Sequence, residues 1–227
     1  LKKKTQVIFE IKLGHPHLWQ GQKNPYLYEF DVKIIDHENV IDQMKIKTGL
    51  RDISVDDTYL YLNGKQIRLN GVCRHQDYEN IGNALSNDMH ENDLMIISEI
   101  GANAIRLAHY QQSDYMYQRC DELGFIVWAE IPYITVPSKT DFSGDNAVLQ
   151  LTELIMQNYN HPSIIMWGVQ NEVTAVGKKY EVERIVEKLN QVAKQLDPYR
   201  LSTQAQLANV KADDSLNQIT DVSGFNL

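Results

Sequence analysis

From residue 69 onward, short apolar runs alternate with amphipathic helical stretches, and that alternation admits few folds. The strand candidates are residues 69–74, 103–108, 125–130, 163–168, 201–205 and 221–227. Between them, Ser86, Asn87 or Asp88 can cap a helix that carries Leu94, Ile97 and Ile100 and is terminated by Gly101. Ser113 can cap the next, ended by Gly124. A later stripe of Val182, Ile185, Val186, Leu189, Val192, Ala193 and Leu196 stops at Asp197-Pro198. Strands separated by helices pair in parallel, because each crossover returns the chain to the same end of the sheet. An open doubly wound sheet and a (β/α)8 barrel both satisfy this. No glycine-rich phosphate loop follows any strand, which favours the barrel.

A full barrel takes eight strands in about 250 residues, whereas about six strands fit here. The expected fold class is therefore α/β, an incomplete (β/α)8 TIM barrel, preceded by part of an immunoglobulin-like β-sandwich. The sandwich portion is residues 1–56, where β-like runs cover 7–13, 26–35 and 40–50. Tyr26, Tyr28, Phe30, Val32 and Ile34 place apolar groups at period two, as in a half-buried strand. A sandwich of this type needs about seven strands, so the rest is expected to precede Leu1. The barrel portion is residues 57–227 and opens with a hairpin whose Asn63-Gly64 is a type I′ turn signal.

Composition narrows the partners. The 227 residues are 43% hydrophobic and 23% charged, with a net charge of −8, so no basic excess exists for phosphate or anionic lipid. The run Lys2-Lys3-Lys4 is short and terminal. No apolar run approaches the roughly 20 residues of a membrane span. The two cysteines, Cys73 and Cys120, lack C-x-x-C spacing and read as core residues. No cofactor and no metal are expected. The first residue is Leu1 rather than Met, so the chain is expected to be part of a longer one. Its compartment and oligomeric state are left open.

Function is read from the carboxyl ends of the strands, where parallel α/β folds place their ligands. The stretch NHPSIIMWGVQNEV, Asn160 to Val173, carries a buried apolar run that ends in Asn171-Glu172. Taken alone, that pair is also an ordinary helix start. The other strand ends agree with a site, however. Arg74-His75-Gln76-Asp77 ends the first, Arg106 leads to His109-Tyr110 on the second, and Glu130 ends the third. Arg106 paired with Glu130 and histidines satisfied in the core are the structural alternatives. Together, amides, imidazoles, a guanidinium and carboxylates suit a polyhydroxylated ligand, whose hydroxyls both donate and accept.

The runs LNGVCRHQD, NAIRLAHY, CDELGFIVWAEIP and NHPSIIMWGVQNE resemble, in order and spacing, glycoside hydrolase family 2, most closely its β-galactosidases. The resemblance implies a retaining glycosidase acting on a carbohydrate substrate, with Glu172 as general acid/base and Asn171 on the sugar 2-hydroxyl. It places His75, His109, Arg106 and Glu130 among the substrate-binding residues, with the histidines as sugar contacts and Arg106 as organiser of carboxylates. The family's nucleophile, a second Glu at the end of the seventh strand, is expected outside this chain, so the fragment itself is expected to be inactive. A magnesium known beside the acid/base in one bacterial member needs a Glu and a His that Ile131-Pro132-Tyr133-Ile134-Thr135-Val136 does not supply. β-Glucuronidase and β-mannosidase are the alternatives within the family. A non-catalytic carbohydrate-binding module is the alternative outside it. Open sheet edges are expected to promote self-association.

Overall fold

The structure is a computed structural model that describes residues 7–136, 138, 140–175 and 179–226. Strands β1 (Tyr28–Asp36) and β2 (Asn39–Thr48) form an antiparallel hairpin. Its register pairs Phe30 with Ile46 and Val32 with Met44 on one face, and Glu29 with Lys47 and Asp31 with Lys45 on the other. The apolar face is largely exposed. Strands β3 (Ile53–Val55), β4 (Leu60–Leu62) and β5 (Lys65–Ile67) make a second small antiparallel sheet. Asn63 and Gly64 both have positive φ in the β4–β5 turn, as a type I′ turn requires.

The remaining strands are all parallel. They are β6 (Gly71–Arg74), β7 (Ala104–Leu107), β8 (Ile126–Glu130), β9 (Ile164–Asn171), β10 (Leu201–Leu207) and β11 (Val222–Asn226). They lie side by side in sequence order. Helices α1 (Asn87–Glu99), α2 (Asp114–Leu123), α3 (Asp145–Asn158) and α4 (Lys179–Leu196) provide crossovers between them. Six consecutive parallel strands of this kind are the open part of a (β/α)8 barrel, as expected. Gly124 ends α2 in the left-handed conformation, with φ of 78°, a backbone state that glycine adopts without steric cost.

The sheet separates two apolar cores. On the helical side Leu94, Ile97, Met116, Tyr117, Leu151, Leu154, Ile155, Ile185 and Leu189 pack against Ile105, Val127, Ile164 and Trp167. On the other side, Ala104, Ile126 and Leu201 at the amino ends of their strands pack against Ile53 and Leu62 of the small sheet and against Trp19. The small sheet thus seals the amino end of the half-barrel and leaves the carboxyl end open.

Three expectations need correction. Of the two cysteines read as core residues, Cys120 is buried but Cys73 is exposed, because it lies on β6, at one edge of the six-stranded sheet. Residues 7–13 form no strand; their apolar side chains are exposed, with Phe9 80% accessible, because no described strand pairs with them. Strand β9 runs past Gly168 to Asn171, because all eight of its residues are buried and β10 pairs with it up to Ala205 and Asn171. The end of the 221–227 run, Leu227, lies outside the described residues.

The amino end of β9 is bolted down by buried charge. Arg200 donates to the carbonyls of Ile164, Tyr159 and His161 at 2.7–2.8 Å and pairs with Asp197 at 2.6 Å. Trp167 Nε1 donates to the same Asp197 carboxylate at 3.0 Å. Asp121 meets His161 Nδ1 at 2.6 Å and accepts from the Ser163 amide at 3.0 Å. The Asn160-to-Ser163 stretch is therefore an anchor. Burial raises the Asp197 proton affinity, but the Arg200 charge and the bonds from Arg200 and Trp167 outweigh it and hold the group below its ordinary value. A depressed carboxylate contributes stability that is present above its unfolded pKa of about 3.9 and is lost as pH falls through the lower folded value. Arg200→Met, which leaves Asp197 buried and unpaired, is expected to cost about 3–5 kcal/mol in urea unfolding. Asp197→Asn should remove this part of the acid sensitivity.

Candidate active site

The polar residues named from sequence converge on the carboxyl end of the sheet around one guanidinium. Arg106 sits on β7 with its side chain only 10% exposed. Its Nε donates to Glu130 Oε2 at 3.1 Å, one terminal nitrogen donates to Asn171 Oδ1 at 2.7 Å, and the other donates to Asn226 Oδ1 at 2.9 Å. The guanidinium also stacks over Trp128, 4.6 Å from the ring centroid, an attraction worth more where water is excluded. A planar fork with donors on three sides is what lets one side chain bind three strand ends at once.

The family resemblance places Glu130 among the substrate-binding residues. Its side chain is 1% exposed and both oxygens are engaged, Oε2 by Arg106 and Oε1 by His109 Nδ1 at 2.6 Å. It lies beneath Arg106 and His109, and its influence passes through those two partners. His109 Nδ1 also lies 3.3 Å from Arg106. A guanidinium cannot accept a hydrogen bond, so Nδ1 cannot serve both neighbours with one proton state; the 2.6 Å contact to a carboxylate is the stronger. Nδ1 therefore donates to Glu130, and among the described residues Nε2 has no hydrogen-bond partner.

His75 projects beyond β6 and sets its ring edge-on to His109, with centroids 5.0 Å apart at 80°. Burial, and then the neighbouring His109, lower its pKa below the ordinary value. Its neighbour Arg74 turns the other way. It is buried on Asp93, Gln112 and His90 and serves the frame.

Asn171 and Glu172 do not start a helix. The Asn171 amide donates to the Tyr133 carbonyl at 2.9 Å, and its own carbonyl accepts from Thr135 at 2.8 Å, so the loop after β8 pairs with the end of β9. The Asn171 side-chain oxygen accepts from Arg106 and from Asn226 Nδ2 at 3.0 Å. Glu172 has φ of 56°, and its amide is held by the Ala205 carbonyl at 2.8 Å. Its Oε1 accepts from Asn226 Nδ2 at 2.6 Å.

Asn226 is the residue that sequence reasoning missed. The same rule that found the others, polar groups at the carboxyl end of each strand, would have reached it had it been applied to β11. A glutamine cluster on β9 and β10 was missed too: Gln170 Nε2 donates to Gln204 Oε1 at 3.0 Å, and Gln206 Nε2 donates to the same oxygen at 3.2 Å. Among the described residues, no three His, Cys, Asp or Glu side chains gather as a metal site would require.

The chain is similar to known proteins in both sequence and fold. Residues 53–224 match the model of "Glycosyl hydrolases family 2, TIM barrel domain", and residues 1–51 match that of "Glycosyl hydrolases family 2". A β-glucuronidase of Bacteroides fragilis is 40% identical over 100% of this chain and 33% of its own length. A β-galactosidase of Thermoanaerobacter pseudethanolicus is 32% identical over 86% of the chain and 26% of its own. The crystal structure of a Bacteroides uniformis β-glucuronidase superposes with a TM-score of 0.86 at 38% identity, covering 93% of this chain and 27% of that one. The chain thus spans about a quarter to a third of the length of these relatives.

The geometry around His75 makes a spectroscopic prediction. Its ring should be neutral at pH 7 and titrate below the ordinary histidine value of about 6.5. His109→Ala should move that titration upward, as followed by the imidazole nitrogen shifts in NMR. An unchanged titration would mean that His109 does not govern it.

Proposed function

This chain belongs to glycosyl hydrolase family 2, and from that premise we propose that the protein carrying it hydrolyses β-glycosides with retention, using Glu172 as general acid/base. The observation that carries the reading is the Asn171-Glu172 pair at the carboxyl end of the central strand, held from behind by Arg106 and Asn226. Among the described residues, the Asn171 side-chain nitrogen and Glu172 Oε2 engage in no hydrogen bond, so both are available to a ligand.

A glycosidic oxygen leaves as a strongly basic alkoxide unless it is protonated as the bond breaks. Glu172 supplies that proton and, in the second half of the reaction, takes one from the attacking water. The partner carboxylate that captures the anomeric carbon stands about 5 Å away on the other face in retaining enzymes. We assign that role to a residue outside these 227. Glu130, whose two oxygens are taken by Arg106 and His109, is assigned to positioning. Asn171 donates to the sugar 2-hydroxyl, a bond that tightens as positive charge develops at the neighbouring carbon. His109, through Nε2, and His75 bind further hydroxyls of the sugar. Residues 57–227 are assigned to the catalytic barrel and residues 1–56 to the sandwich.

For the sugar itself, the sequence motifs point to a β-D-galactoside. A second reading, a β-D-glucuronide, is favoured by the β-glucuronidase of B. fragilis at 40% identity. Hydrolysis of aryl β-galactosides, β-glucuronides and β-mannosides by the complete protein ranks the three. With the preferred sugar and a poor leaving group, Glu172→Gln is expected to lower kcat/KM by about 10²–10⁴, and far less with a dinitrophenyl leaving group, whose departure needs no acid. A wild-type rate in the variant would remove Glu172 from the reaction. Sugar binding without turnover, lost in His109→Ala and kept in Glu172→Gln, would instead identify a binding module.

A further inference from the structure

Asn226 contacts every group that the reaction would need at the end of β9. Its amide orientation is unambiguous. Arg106 is a donor only, so the Asn226 oxygen must face it, at 2.9 Å. The Asn226 NH2 group must then face the two acceptors, Asn171 Oδ1 at 3.0 Å and Glu172 Oε1 at 2.6 Å. The same logic turns Asn171 around: its oxygen accepts from both Arg106 and Asn226, which leaves its NH2 directed away from them. One chain of donors, from Arg106 through Asn226, thereby sets the orientation of both residues.

We propose that Asn226 is a positioning residue that occupies Glu172 Oε1 as an acceptor and so places the transferable proton on Oε2. An oxygen that accepts at 2.6 Å from an amide cannot hold the acid proton along that line. Oε2 is then the atom that meets the glycosidic oxygen. The inference rests on the reading of Glu172 as acid/base. It also has an energetic consequence, because the Asn226 amide donates to this carboxyl and an apolar side chain at the same position does not. The other charged and titratable groups facing this cluster are Arg106, His109 and His75 from β7, β6 and their loops, and Glu130 from β8. The β10 residues at this level, Ala205 and Gln206, are uncharged.

The experiment measures pH profiles of kcat/KM for the complete protein and for Asn226→Leu, with an alkyl or phenyl glycoside and with a dinitrophenyl glycoside that needs no acid. Asn226→Leu should lower the rate on the poor leaving group by roughly 10-fold to 10²-fold more than on the activated substrate, and move the alkaline limb upward. An unmoved limb, or equal losses on both substrates, would overturn the proposal, since a purely structural residue gives that pattern. Asn226→Asp keeps the size and carries the same test should the leucine variant fail to fold. A carboxylate in place of the donor should move the limb upward at least as far, and no movement overturns the proposal. Glu172→Gln run in parallel separates the two claims. Full activity there sinks the acid/base assignment and this proposal together, whereas lost activity with unshifted Asn226 variants sinks this proposal alone.

Discussion

A single buried cation organises the open end of the half-barrel. Arg106 binds Glu130, Asn171 and Asn226, which come from three different strands, and it lies against the Trp128 ring. A guanidinium that has lost most of its water is stable only when its donors are satisfied by the protein. Each of its partners is thereby constrained, and so are the residues those partners hold: His109 through Glu130, and Glu172 through Asn226. Space is equally constrained. A Cβ at Gly168 would stand 2.4 Å from Trp128 Nε1 and 2.5 Å from Glu130 Cβ, so the approach of β8 to β9 at this level depends on a residue without a side chain.

The central strand is held at both ends by different means. Arg200, Asp197 and Asp121 fasten its entry with charge-assisted bonds to backbone and ring nitrogens. At its exit, the loop after β8 pairs with Asn171 and β10 pairs with Glu172. What looks in the sequence like one motif, Asn160 to Val173, divides into an anchoring half and a half that faces the cleft. The boundary between them is the buried run from Ile164 to Trp167.

Much of this was legible beforehand, for physical reasons that differ by element. The parallel sheet followed from the rhythm of apolar runs and helix caps, which local sterics and burial write directly into the sequence. His75, Arg106, His109, Glu130, Asn171 and Glu172 were found because polar groups at strand ends stand out against apolar interiors. Which of them faces a ligand and which lies underneath was not legible. The pairing of Arg106 with Glu130 could be named only as an alternative, because the two are 24 positions apart and the register of β7 against β8 decides for it. Asn226 escaped because one amide in a short final strand carries no local pattern. Residues 7–13 misled because alternation signals a strand only when a partner strand is at hand.

Strand β9 has hydrogen-bonded neighbours on both sides and no solvent-facing residue. Amides in such a position exchange with solvent only through the largest openings of the fold. Asn171 and Glu172 therefore inherit the stillness of the segment least able to fluctuate. Their orientational entropy is lost when the chain folds, not when a ligand arrives. Whatever binds there meets a surface already in its final arrangement, and little of the binding energy is diverted into shaping it.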